Sequence, residues 1–161
     1  MELNDIYERQ IDRVYRTAMM YLKNSADAED VVQGVFLRFL EKSPKFANED
    51  HEKAWFIRVT RNFCKDVLKT FWKKNVNLGE VPEPIAAEET QSDLLETVLT
   101  LQEKYREVIY LYYYEGYSVK EMSAILRRKE STIQTQLSAA RKKLKICLTE
   151  NGQVSKNGSD S

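Results

Sequence analysis

The 161-residue chain carries 25 Lys and Arg against 25 Asp and Glu, is 42% hydrophobic and 31% charged, and has only five Gly and three Pro. That balance excludes a disordered chain and a Gly/Pro-punctuated β-sandwich, and favours a helical protein of one ordinary domain or two small ones. The zero net charge hides a segmental pattern of +5 over residues 51–77, −6 over 78–100 and +6 over 127–148, which reads as two basic surfaces with an acidic spacer.

The N-terminus is polar and charged, and no apolar run reaches bilayer length, so a cytoplasmic protein without membrane insertion is expected. His51 is the single histidine, and Cys64 and Cys147 lack a CxxC partner, so both thiols read as free and reduced. No Gly-rich phosphate loop, metal-ligand cluster or Ser/His/Asp set is present. The expectation is therefore no enzyme, no metal and no cofactor.

A first helix over 3–23 presents Tyr7, Ile11, Val14, Tyr15, Ala18 and Leu22 as its apolar stripe. Ser25 is read as the next N-cap, followed by an acidic first turn with Asp27, Glu29 and Asp30. This second helix buries Val31, Val32, Val35, Phe36 and Phe39 and stops before Pro44. Gly34 interrupts it at a cost of about 1 kcal/mol relative to Ala; close packing is one reading of it and no structural consequence the favoured one. A polar loop over 43–52 leads to a third helix over 53–73. Its Phe56, Val59, Phe63 and Val67 share one arc, while Arg58, Arg61, Asn62, Lys65, Lys69 and Trp72 share another. Cations can track a phosphate backbone and an exposed indole can stack on an unpaired base, so this face has a single-strand-binding composition. The alternative is a solvated basic face with Trp72 packed against a neighbour.

Residues 75–93 lose the helical period and gain Pro82, Pro84 and acids, the mark of a flexible tether. Domain boundaries of 1–74 and 94–148 follow, with a disordered tail over 149–161. The second domain opens with a helix bearing Leu94, Leu95, Val98 and Leu101. A second helix carries Tyr105, Val108, Ile109, Leu111 and Tyr112, with most of the cluster Tyr110 and Tyr112 to Tyr114 expected in the core. After the turn Glu115-Gly116-Tyr117, Ser118/Glu121 and Ser131/Gln134 read as two capping boxes about a dozen residues apart, which is helix-turn-helix spacing. In the last helix Ile133, Leu137, Ala140, Leu144 and Leu148 face a core. The opposite face holds Thr135, Ser138, Ala139 and Lys142, flanked by Gln134, Gln136, Arg141 and Lys145. Hydroxyls, amides and cations there suit a major groove, and a plain solvated face is the competing reading. The fold class is all-α: two small helical domains joined by a flexible acidic linker, the second ending in a helix-turn-helix.

Three motifs in order resemble the ECF-type sigma factors of bacterial RNA polymerase, within the sigma-70 family. Asp27-Ala28-Glu29-Asp30-Val31-Val32-Gln33-Gly34-Val35-Phe36 resembles DAEDxxQxxF, Ala54 to Asn62 with Asp66 resembles AWLxRIARNxxxD, and the segment from Glu115 to Arg141 resembles a helix-turn-helix ending in TVKSRLxRAR. The resemblance implies an alternative sigma factor that binds core RNA polymerase and promoter DNA, with an anti-sigma factor as a further partner. It implies that Asp27, Glu29, Asp30 and Gln33 dock on the polymerase. It also implies that Lys53, Arg58, Arg61, Asn62, Lys65, Lys69 and Trp72 melt the minus-ten element, with loop residues 46–50 lining a pocket for a flipped base. Arg127, Arg128, Thr132, Gln134, Thr135, Gln136, Ser138, Ala139 and Lys142 are the implied readers of the minus-thirty-five element. Gln134, Gln136 and Ala139 stand where basic residues are usual, which shifts expected phosphate anchoring towards Arg127, Arg128 and Lys129. A stand-alone helix-turn-helix regulator is the alternative, and a small nuclease or recombinase a third.

Overall fold

The computed structural model describes residues 2–75 and 93–150; residues 76–92 and 151–161, on which the expected linker and tail fall, lie outside the described residues. The chain divides into two compact units, 1–86 and 87–161. Among the described residues every regular element is helical, as expected from the composition.

In the first unit, α1 (Glu2–Leu22), α2 (Ser25–Lys42) and α3 (Glu49–Asn75) pack pairwise around one core. Val14, Ala18 and Tyr21 of α1 meet Ala28, Val31, Val35 and Phe39 of α2 and Phe56, Ile57 and Cys64 of α3. Each large apolar side chain so buried stabilises the unit by about 1.5–3 kcal/mol. The inward faces are rotated from the apolar stripes read off the sequence. On α1, Gln10 and Thr17 are buried while Tyr7 is exposed; on α3, Glu52 and Thr60 are buried while Val59, Phe63 and Val67 are only half-buried. Local bonding explains the threonines: Thr17 Oγ1 donates to the Arg13 carbonyl at 2.7 Å and Thr60 Oγ1 to that of Phe56 at 2.6 Å, so neither hydroxyl is left unsatisfied.

Helix ends also differ from the reading. The N-cap of α2 is Asn24, whose Oδ1 accepts from the Asp27 N–H at 2.9 Å, one residue before Ser25. Helix α3 starts at Glu49 rather than near Lys53, because Asn48 Oδ1 accepts from the His51 N–H and His51 Nδ1 accepts from the Ala47 N–H, both at 2.9 Å. This resembles a capping box, but with histidine in place of Glu or Gln and with its ring nitrogen accepting from the residue before the cap, Ala47, rather than from Asn48 itself. The expected loop is thereby shortened, and residues 49–50 belong to the first turn of α3. Its remaining aromatic, Phe46, is anchored against Phe39, His51, Trp55 and Phe56, with ring centroids 5.4–6.4 Å apart.

Gly34 has a structural reason after all. A Cβ built there would lie 2.8 Å from Cε1 and 3.2 Å from Cζ of Phe63, over whose ring the Arg38 guanidinium stands at 5.1 Å from the centroid. The glycine lets α3 approach α2. Gly34→Ala should therefore lose more from overlap, about 1–3 kcal/mol, than the roughly 1 kcal/mol it gains in helix propensity. The expected outcome is a lower melting temperature for the first unit, followed by tryptophan fluorescence; a rise would show that Phe63 moves aside freely.

In the second unit, α4 (Asp93–Leu99) and α5 (Glu103–Ile109) lead into a π-helical turn, Tyr110–Tyr114, and then α6 (Val119–Leu126) and α7 (Glu130–Glu150). The π turn corrects the expectation for the tyrosine cluster. Its wider winding, with the Glu115 N–H reaching the Tyr110 carbonyl, keeps Tyr110 buried but leaves Tyr113 and Tyr114 about half exposed. Tyr113 instead accepts from Arg141 Nε at 2.7 Å. Gly116, at φ +75, turns the chain into Ser118, which forms the expected capping box with Glu121.

Candidate nucleic-acid interfaces

Only three residues, Arg127 to Lys129, separate α6 from α7. The turn is made without glycine: Arg127 adopts the left-handed conformation (φ 58, ψ 50) and its N–H caps the Ser123 carbonyl. Ser123 then closes the loop, its Oγ donating to the Arg128 carbonyl at 2.6 Å. The second expected capping box is absent. Helix α7 begins at Glu130, with the Lys129 carbonyl accepting from the Ile133 N–H at 3.1 Å, so Ser131 lies inside the first turn rather than capping it.

The faces of α7 separate as expected. Ile133, Leu137 and Ala140 are fully buried and Leu144 half-buried, while Thr132, Gln134, Thr135, Ser138 and Lys142 are exposed. Ser131 joins that exposed face; helical phase from Ile133 would have placed it there had the helix start been set at Glu130. Ala139 and Gln136 sit at its edge, half-buried, beside Lys104 and Tyr105 of α5 in a shared groove. Arg127 is exposed, whereas Arg128 is held inside the fold: it pairs with the buried Glu107 and donates from Nη1 to Gln136 Oε1 at 2.9 Å. Arg128, expected to take up phosphate anchoring, is thus ion-paired within the unit, and the Gln136 amide oxygen is engaged with it.

On α3, Arg58, Arg61, Asn62, Lys65 and Lys69 fall within roughly one third of the helical circumference, opposite the Phe56–Thr60–Cys64 seam, along about 16 Å of axis. Asn62 and Lys69 are exposed and the other three partly buried. Lys53 does not join them, since it precedes Arg58 by five residues and lies on the far side of the helix. The side chain of Trp72 falls outside the described residues.

A third surface lies on α2. Glu29, Asp30 and Gln33 are exposed on its outer side, and between them and the helix C-terminus stand Leu37 and Leu40, 63% and 56% exposed. These two leucines escaped the sequence reading, although both lie off the Val31–Val35–Phe39 stripe. Asp27 stands apart from this face, towards the cap formed by Asn24.

Residues 6–74 match the sigma-70 region 2 family and residues 91–144 the sigma-70 region 4 family. Among curated relatives, the chain is 29% identical over 157 residues to the ECF RNA polymerase sigma factor SigM of Bacillus subtilis, covering 90% of this chain and 94% of that protein. It is likewise 29% identical over 140 residues to RNA polymerase sigma factor SigV of the same organism, covering 84% of each. The chain belongs to the ECF group of the sigma-70 family. It is an alternative sigma factor, directing promoter-specific transcription. The stand-alone regulator reading is not favoured. The fold of this sigma factor is also that of RpoE from Bartonella quintana, solved with the anti-sigma factor NepR: TM-score 0.79 at 21% identity, over 92% of this chain and 97% of that one. CnrH, solved with the cytosolic domain of CnrY, gives a TM-score of 0.66 at 20% identity, over 92% and 88%. Among the described residues of this sigma factor, no helix is long and apolar enough to cross a membrane.

Proposed function

We propose that this sigma factor divides promoter recognition between its two units and docks on core RNA polymerase through α2. The α3 stripe of Arg58, Arg61, Asn62, Lys65 and Lys69 takes the minus-ten element as a single strand, where cations follow the backbone. The exposed face of α7, with Ser131, Gln134, Thr135, Ser138 and Lys142, enters the major groove of the minus-thirty-five element. Glu29, Asp30 and Gln33 lie on the docking face about one to three turns N-terminal to Leu37 and Leu40. The observation that carries this reading is the clean opposition, on α7, of a buried apolar seam and an exposed row of hydroxyls, amides and a cation behind a three-residue turn. An anti-sigma factor, such as the one bound to the Bartonella quintana relative, is proposed as a regulatory partner. The chain supplies no catalysis of its own in this scheme.

The division of labour has a kinetic test. With holoenzyme on a matching promoter, Thr135→Ala should weaken closed-complex binding by about 1 kcal/mol and leave the opening rate unchanged. Asn62→Ala should slow opening on promoters already bound. Equal effects of both substitutions at both steps would contradict the scheme.

A further inference from the structure

Arg128 ties three helices together. Glu107 of α5 is fully buried, and a buried carboxylate is tolerated when a cation meets it; that cation comes from the turn, as Arg128 Nη2 against Glu107 Oε1. The same guanidinium donates from Nη1 to Gln136 Oε1 on α7 at 2.9 Å. The Arg128 backbone is held as well, its N–H reaching the Ser123 carbonyl at 3.3 Å and its own carbonyl accepting from Ser123 Oγ at 2.6 Å. One residue is thus fixed against α5, α6 and α7 at once. A guanidinium has donors and no acceptor, so the Gln136 amide oxygen must face it and the NH2 group must face away.

We propose that Glu107, Arg128 and Gln136 form a positioning device that seats the reading helix on promoter duplex, with Arg128 acting through α7 rather than on a phosphate. The inference rests on the reading of α7 as the duplex reader. Its distinguishing property is charge. A cation that contacts a phosphate releases a counterion on binding, so its removal lowers the salt dependence by about one ion. A cation already neutralised by Glu107 releases none.

The test uses holoenzyme and a duplex fragment bearing the minus-thirty-five element, titrated across a salt series. Arg128→Met alone would strand the Glu107 carboxylate, so Glu107→Gln with Arg128→Met removes both charges while keeping bulk. This pair should bind about tenfold more weakly with the wild-type slope of log affinity against log salt. A slope lower by about one would mean that Arg128 touches a phosphate, and wild-type affinity would mean that the network has no bearing on reading; either overturns the proposal. Glu107 and Gln136 bond to the same guanidinium, so an arginine at 136 would approach Glu107 from α7. Arg128→Met with Gln136→Arg should therefore restore affinity to within about threefold of wild type, and binding as weak as that of the neutral pair would count against the device. Should the unaltered holoenzyme fail to distinguish a native from a scrambled minus-thirty-five fragment, the reading of α7 itself would fall.

Discussion

A Leu37→Gln/Leu40→Gln variant folds normally and loses its affinity for core RNA polymerase by more than about a hundredfold, corresponding to roughly 3 kcal/mol. Both leucines stand more than half exposed on α2 while Val31, Val35 and Phe39 fill the core from its other side. Replacing them leaves the fold within about 0.5 kcal/mol of its original stability, and glutamine keeps both bulk and helix propensity. Two adjacent apolar side chains left in water by the fold, beside Glu29, Asp30 and Gln33, have the composition of an interface centre with a polar rim. The rim carboxylates should behave differently: Glu29→Gln with Asp30→Asn should mainly slow association and flatten its salt dependence. Pull-down of core polymerase with unchanged affinity by the leucine variant, at matched circular dichroism, would place the docking face elsewhere.

The two-unit helical architecture was legible because long helices impose a strong period, and the Ile133–Leu137–Ala140 seam is buried as that period demands. Helix ends were read less well where the capping chemistry was unfamiliar. Asn48 with His51 does the work of a capping box without its usual residues, and the turn at Arg127 is left-handed without glycine. The inward faces of α1 and α3 were misphased for a related reason. Gln10, Thr17, Glu52 and Thr60 are polar in composition yet buried, since partners distant in sequence or one helical turn away satisfy them. At the candidate interfaces, residue type located the α3 stripe and the α7 face. It could not separate Arg127, which is exposed, from Arg128, which is consumed by Glu107 twenty-one residues earlier.

Glu52 gives the largest expected effect on stability. Its carboxylate, nearly inaccessible to solvent, accepts from Arg9 Nη2 at 2.9 Å, Arg9 Nε at 3.1 Å and Gln10 Nε2 at 2.7 Å, joining the start of α3 to α1. Gln10 is itself held by Arg13, whose Nη1 donates to Gln10 Oε1 at 2.8 Å. Burial pushes the Glu52 carboxyl up, but hydrogen bonds from Arg9 and Gln10 and the charges of Arg9 and Arg13 outweigh it, and the group rests below its ordinary value. A carboxyl depressed in the folded state stabilises fully above its unfolded pKa, about 4.3, and loses that contribution as pH falls through the folded value. Glu52→Ala should cost about 1–3 kcal/mol at neutral pH, because the buried Gln10 amide loses its acceptor. For a unit of this size that lowers the melting temperature by roughly 5–15 °C. Both tryptophans, Trp55 and Trp72, precede residue 76, so their fluorescence follows the first unit alone. Between pH 7 and about 3, the gap between wild type and Glu52→Ala should narrow, since only the wild type has a carboxylate there to protonate. A gap that stays constant over that range would show that the Arg9–Glu52–Gln10 cluster contributes through packing and not through its charge.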